Sequence, residues 1–293
     1  MIKILISLGM SLLFLAHGCS IKTPDSYFEA GVSENLAEMR ADQIANINYL
    51  LFVNLPENRS QKIDASLVLE FFMSEVSQPV ILDFHPDESY LLAVFHKGEA
   101  LAYSYKNGHI IIDKKHFTAG QQQLEFHFTV PEAALLTGEN YLIINPATGA
   151  DFLAFPAFNQ DGLPASFLLN MEIPAGFKAL SNAPILKETQ VSGRLSVAFA
   201  KTPIMATDAF SFVAGQLNKI EVKTDEETLA FYFVGKAVPD SIQLAQYANE
   251  FVLQDTTSVS QFDFSGKTDL VILTDLELSK TLYLPGLVYI GGE

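Results

Sequence analysis

Histidine and cysteine are the side chains best suited to metal or nucleophilic chemistry, and this chain has six His and one Cys in 293 residues. The histidines are His17, His85, His96, His109, His116 and His127, and none follows residue 127. A helix-borne zinc hydrolase site needs two His at i and i+4 on one face, with a Glu between them acting on metal-bound water. No pair has that spacing, and all but His17 fall in strand or turn segments. His116 and His127 could approach across a hairpin, but without cysteine beside them no metal site is expected there. Gly266-Lys267-Thr268 echoes a phosphate loop, yet Gln261 stands where the first glycine must be and Phe262-Asp263-Phe264 replaces the flexible part. Neither Gly-x-Gly-x-x-Gly nor Gly-x-Ser-x-Gly occurs. Asp83, Asp87 and Glu88 bracket His85-Pro86 and read as a strand-end turn, while Thr224-Asp225-Glu226-Glu227 reads as a solvated one. No catalytic residue and no metal ligand is assigned.

The elements that would position any site follow from composition and periodicity. The chain is 49% apolar, 11% aromatic and 18% charged, ample for a packed core. Its length suggests about two domains. Its formal charge is −16, with no basic patch, which argues against nucleic acid as a partner. Met1-Ile2-Lys3 and the apolar run from Ile4 to Ala16 read as a signal peptide over 1–18, too short to span a bilayer. Cys19, the sole cysteine, then reads as a lipidated residue, followed by a tether over 19–38. With Ser20 after it, outer-membrane sorting is expected, and with no second cysteine no internal disulfide is possible.

From Ile44 onward, short apolar runs with alternating character recur over 44–53, 63–73, 80–84, 90–95, 101–105, 110–112, 124–130 and 141–144. They are bounded by turns, as in antiparallel β architecture. Lys106-Asn107-Gly108-His109 is a strong hairpin signal. The stretch from Phe155 to Phe167 carries Phe155-Pro156-Ala157-Phe158, a polar Asn159-Gln160-Asp161-Gly162 turn and a second proline, Pro164. It reads as a buried aromatic corner, with the prolines fixing φ on either side of the turn. Ser33 to Arg40 can make a short helix. Beyond Val222 come a strand over 228–234, a helix started by Asp240 with Gln243 three residues on, and a buried strand over 269–273.

The corner resembles the Phe-Pro-Cys-Phe-Asp-Gln/Glu-Pro segment in the N-terminal β domain of aminopeptidase N and leukotriene hydrolase-type zinc metallopeptidases. Leu36-Ala37-Glu38-Met39-Arg40 leading to Ile47-Asn48-Tyr49 is similar to that family's first strand. Asn107-Gly108-His109-Ile110 with Gly120 looks like its Asn-Gly hairpin. Thr202-Pro203-Ile204-Met205-Ala206-Thr207 and Phe210-Ser211-Phe212-Val213-Ala214-Gly215 resemble the strand that closes the domain. The resemblance runs from about Arg40 to the end of the sequence.

It implies a mainly β fold: a saddle-like antiparallel β domain over 39–234, then the incomplete start of an α+β, thermolysin-like catalytic domain over 235–293, without a core of its own. In the family a Pro-Gly-Phe-x-Tyr run leads into a Gly-x-Met-Glu-Asn strand whose Gly backbone and Glu hold the substrate peptide. By that count Gly291, Gly292 and Glu293 are the substrate-binding candidates. The family's loop Gln/Glu before the corner is missing from 146–151, where Asp151 is the nearest carboxylate. The His-Glu-x-x-His that holds zinc in the complete enzyme is missing as well, so the chain itself is expected to take no cofactor. The resemblance therefore implies the non-catalytic N-terminal portion of a cell-envelope aminopeptidase, inactive alone. Its partners would be a missing or separately encoded catalytic domain and a membrane through the lipid, facing the periplasm. The alternative is a non-catalytic lipoprotein that uses the β domain to bind or scaffold. Under the first reading the segment 239–293 is expected to be less protected than the β region and to make the chain associate.

Overall fold

The computed structural model describes residues 24–58, 60–84, 87–138, 141–144, 153–223, 228–234, 241–254, 268–273 and 282–291. Their strands, numbered along the chain, form four sheets. The largest runs in the order β13 (Ile185–Val191), β14 (Arg194–Phe199), β11 (Ala165–Pro174), β1 (Ile44–Asn54), β2 (Asp64–Met73), β8 (Gly120–Thr129), β4 (Leu91–His96), β5 (Glu99–Ala100). A three-stranded sheet holds β3 (Val80–Asp83), β7 (His109–Ile112) and β6 (Ser104–Lys106). A four-stranded sheet runs β12 (Lys178–Ser181), β15 (Phe212–Gly215), β10 (Tyr141–Ile144), β9 (Leu135–Gly138). The last, five-stranded, is β16 (Asn218–Lys223), β17 (Thr228–Val234), β18 (Asp269–Leu273), β20 (Leu287–Gly291), β19 (Leu282–Leu284). Two α-helices, α1 (Glu34–Gln43) and α2 (Ser241–Gln254), flank them. The mainly β, antiparallel architecture expected from the sequence is what the chain forms.

Period-two patterning explains which face of the large sheet is core. Ile47, Tyr49, Leu51 and Val53 of β1 are buried, as are Leu67, Leu69 and Phe71 of β2 and Leu124, Phe126 and Phe128 of β8. Asn107 and Gly108, both at positive φ, make the β6–β7 turn. One pair in this region is parallel: β1 runs alongside β11, Ile47 opposite Ala165 through Asn54 opposite Glu172. A parallel pair needs a long crossover, and residues 55–164 supply it.

The sheets stack. The inner face of the large sheet packs on Val80, Leu82, Ile110 and Ile112 of the three-stranded sheet and on Leu142, Ile144, Phe212 and Ala214 of the four-stranded one. The opposite face of the four-stranded sheet, with Tyr141, Ile143, Leu180 and Val213, packs on Val271, Leu273, Leu287 and Tyr289 of the five-stranded sheet. The far side of that sheet carries Phe231, Phe233, Leu270, Ile272 and Val288 against Leu244 and Ala248 of α2.

Strands β16 and β17, which the sequence reading groups with the β domain ending at 234, pair through β18 with the C-terminal strands. β18 is buried along its whole length between α2 and the four-stranded sheet, with β17 contributing to the same core. Five strands in one sheet offer two apolar faces, and each face has found a cover.

Candidate functional site

Of the substrate candidates, Gly291 ends β20 and pairs with Leu273 of β18; Gly292, Glu293 and the lipidation candidate Cys19 lie outside the described residues, as do 146–151 and the Asp240 cap. Earlier in β20 both backbone edges are occupied. Leu287, Val288 and Tyr289 face β18 on one side and Leu284, Tyr283 and Leu282 of β19 on the other. A peptide cannot add itself beside that part of the strand, and β19 forms the outer edge.

The β19–β20 hairpin is locked to the four-stranded sheet. Gly286 turns it with φ +70°, and a Cβ there would lie 2.1 Å from the Asn182 carbonyl oxygen, so no other residue fits. The Asn182 side-chain amide donates to the Pro285 carbonyl at 2.7 Å and to that of Ala209 at 3.0 Å, and its Oδ1 accepts from the Ser211 N–H at 2.7 Å. Ser211 Oγ meets the Tyr289 hydroxyl at 2.7 Å. Burial pushes that hydroxyl's pKa well above the phenol range, so Tyr289 is a fixed hydrogen-bonding group and not an acid.

The corner is buried as expected: Phe155, Phe158 and Phe167 are all inside. Tyr49 and Phe167 stack with centroids 5.0 Å apart, Phe167 stacks on Phe210 at 4.4 Å, and the Phe158 N–H donates to the Tyr49 hydroxyl at 2.9 Å. The polar turn has a job the sequence did not disclose. Its backbone and Gln160 close over a buried charge network centred on Asp83. Arg40 of α1, with no exposed surface, gives a two-pronged contact to Asp83 at 2.9 and 2.7 Å. Its Nε donates to the Ile81 carbonyl at 3.1 Å. His109 Nδ1 is 2.9 Å from Asp83 Oδ1, and the Asn159 N–H donates to Oδ2 at 3.0 Å. Gln160 accepts from Arg40 at 3.3 Å and donates to the Ala37 carbonyl at 3.1 Å. Burial pushes the Asp83 carboxyl up, but Arg40 and His109 outweigh it and hold it below the usual carboxylate range. One sequence signal was available: Leu36, Met39, Arg40 and Gln43 share one α1 face, all buried. An Arg on an apolar stripe calls for a buried acid.

This network does not fit a metal. Both His109 nitrogens already face oxygens, Asp83 at 2.9 Å and the Glu29 carbonyl at 2.7 Å, and the carboxylate is filled by Arg40 and Asn159. His116 precedes β8 while His127 lies near its far end, paired with Glu125 at 2.6 Å, so the fold does not bring them together across a hairpin. Asp87 has a local role of its own, accepting from the Ser89 N–H at 2.7 Å. A cleft of about 340 Å³ opens between the large and four-stranded sheets, lined by Leu55, Ile63, Val130, Leu142 and Phe177. Lys62 stands at its rim with its ammonium 5.6 Å over the Tyr90 ring. Nothing in that lining pairs a nucleophile with a base.

Comparison with known proteins finds stretches of this chain similar to parts of aminopeptidases. The chain is 30% identical to Aminopeptidase N of Acetobacter pasteurianus over 100 residues, 34% of this chain and 28% of that protein. It is 35% identical to Aminopeptidase M1-B of Oryza sativa subsp. japonica over 74 residues, 25% of this chain and 8% of that protein. Over 160 residues, 52% of this chain and 20% of the other, it is 25% identical to Leucyl aminopeptidase of Saccharolobus solfataricus. The aligned stretches thus span less than a third of each of these relatives. No family model matches the chain.

Proposed function

We propose, for a chain whose homologues make it an aminopeptidase N-type N-terminal region, that it is the non-catalytic portion of a cell-envelope zinc aminopeptidase. In this reading it does not cleave peptides by itself. The observation that carries the proposal is in the sequence: homology to aminopeptidases coexists with six histidines of which no two stand at i and i+4. Zinc in a complete enzyme of this type polarises the scissile carbonyl and activates water. Among the described residues the Asp83–His109 network does not fit the ion, and what the chain supplies in this reading is scaffold: the β19–β20 hairpin and the aromatic corner. In the same reading residues 1–18 are a leader, Cys19 carries lipid at the outer membrane facing the periplasm, and the partner is a catalytic domain encoded downstream or separately. Gly292 and Glu293, following Gly291, would then approach the α-amine of a peptide held by that partner.

The test uses purified protein. Less than stoichiometric zinc after dialysis and no hydrolysis of leucyl-p-nitroanilide are expected; one zinc per chain, or turnover that a chelator abolishes, overturns the proposal.

A second reading, a non-catalytic lipoprotein using the β domain to bind or scaffold, is favoured by one observation. The segment after Leu217 buries both faces of its sheet within this chain. Amide hydrogen exchange separates the two. Exchange at Asp269–Leu273 as slow as at β8 supports the second reading, and fast exchange returns the weight to the first. Reading the coding sequence after Glu293 for His-Glu-x-x-His decides it outright.

A further inference from the structure

We propose that His109 is a pH-sensitive latch, which holds the N-terminal arm while its ring carries both protons and loosens the arm when one of them leaves. The arm is the 3₁₀ turn Asp25–Phe28 and the residues up to α1. Its Tyr27, Phe28 and Val32 pack with Leu36, Met39 and Ile81 beneath. Three contacts tie it to the β6–β7 hairpin. Asn107 Nδ2 donates to the Phe28 carbonyl at 2.6 Å, the Lys106 ammonium sits 5.2 Å over the Phe28 ring, and His109 Nε2 lies 2.7 Å from the Glu29 carbonyl.

The third contact differs from the others in what it needs. The His109 ring is fully buried, with Nδ1 2.9 Å from Asp83 Oδ1 and Nε2 against Glu29. A backbone carbonyl can only accept a hydrogen bond, and so can an ionised carboxylate. Asp83 is held in its ionised form, gripped by the Arg40 guanidinium and the Asn159 N–H. Both ring nitrogens must therefore donate, and only the imidazolium can do so. A neutral ring has one N–H for two acceptors. The carboxylate is the stronger of the two, so the remaining proton stays on Nδ1. The Nε2 lone pair is then left against the Glu29 carbonyl oxygen, and an attraction becomes a repulsion. The sign follows: the arm is held most firmly at acid pH and loosens as pH rises. The charges around the ring come from several elements. Asp83 on β3 favours the second proton, while Arg40 on α1 and Lys106, paired with His109 across the hairpin, oppose it. The arm adds two exposed carboxylates, Asp25 and Glu29. The Asn107 and Lys106 contacts need no change in the ring, so the arm slackens at Glu29 while Phe28 stays tied.

The experiment follows the whole chain, with nitrogen-labelled histidine, over the range in which imidazoles change charge, about pH 5 to 8. The His109 ring nitrogens should both carry the imidazolium chemical shift at the acid end. As that shift is lost, amide exchange across residues 27–32, corrected for the intrinsic effect of pH on exchange, should lose protection. A hydrogen bond from a charged donor is worth about ten-fold or more in local opening, while β8 should keep its protection throughout. His109→Gln should show weak arm protection with no pH dependence, and circular dichroism checks that it folds. Asn107→Ala should weaken the arm at every pH and leave the dependence intact. A ring already neutral at the acid end, arm protection that does not change with pH, or a folded His109→Gln protein with the parent's dependence overturns the proposal. If His109→Gln does not fold, the ring shifts and arm protection of the parent still decide it.

Discussion

Arg40 shows how a single side chain can hold several parts of this chain together. Its guanidinium touches β3 through Asp83 and Ile81 and the corner turn through Gln160, and lies 5.8 Å over the Phe158 ring. Replacing one partner of a buried pair leaves the other charged and desolvated, at a cost of about 3–5 kcal/mol. Arg40→Met is therefore expected to lower the urea midpoint sharply, while a double change of Arg40 and Asp83 to apolar residues should recover part of the loss. A single-variant midpoint within error of the parent would refute the account. Acid should act on the same carboxylate. Asp83 has a folded pKa below its unfolded value, so its contribution is complete above the ordinary aspartate value of about 3.9. It fades as pH falls through the depressed folded value. Unfolding free energy measured from pH 5 downward should drop in the parent more steeply than in an Asp83→Asn variant. Parallel curves would mean that other carboxylates dominate.

The hairpin β19–β20 owes its place to its turn. Gly286→Ala would drive a methyl into the Asn182 carbonyl and add the strain of positive φ, so the turn or β12 must shift. A loss of about 1–3 kcal/mol in stability is expected, with the Tyr289–Ser211 contact disturbed. Near-ultraviolet circular dichroism and thermal unfolding together would register both effects, and an unchanged melting temperature would argue against the close approach. At this level the sequence was partly legible. Strands with clean alternation, such as β2 and β8, and the Asn107-Gly108 turn announce themselves because their signals are local. Which strand pairs with which does not. The sequence of β17 reads like any strand of the β domain, yet its neighbour is β18, because pairing is decided by which apolar faces remain to be covered. Of the Arg40–Asp83–His109 network only Arg40, on the apolar face of α1, left a local signal; its partners did not, because Asp83 lies 43 residues from Arg40 and 26 from His109 and the three share no motif. The corner aromatics were readable because Pro156 and Pro164 mark the bend locally.

Taken together, the layers make the four-stranded sheet a shared wall between two cores. A chain stopped after Leu217 would uncover Tyr141, Ile143, Leu180 and Val213 at once. Such a protein should self-associate on size exclusion, whereas a monodisperse, soluble fragment would show that the wall does not need its second cover. The sequence alone points instead to the C-terminal segment as the part that causes association, because so short a segment looks too small to bury its own surface. It does so by using a face the β domain leaves open. The parallel pairing of β1 with β11 carries a different consequence, one of timing. Ile47 must wait for Ala165, 118 residues later, before that edge can close. At synthesis rates of about 5–20 residues per second, the nascent strand would stand with one side unpaired for roughly 6–24 s. A chain built this way gains from being kept unfolded until it is whole, since an exposed β edge is an invitation to the wrong neighbour.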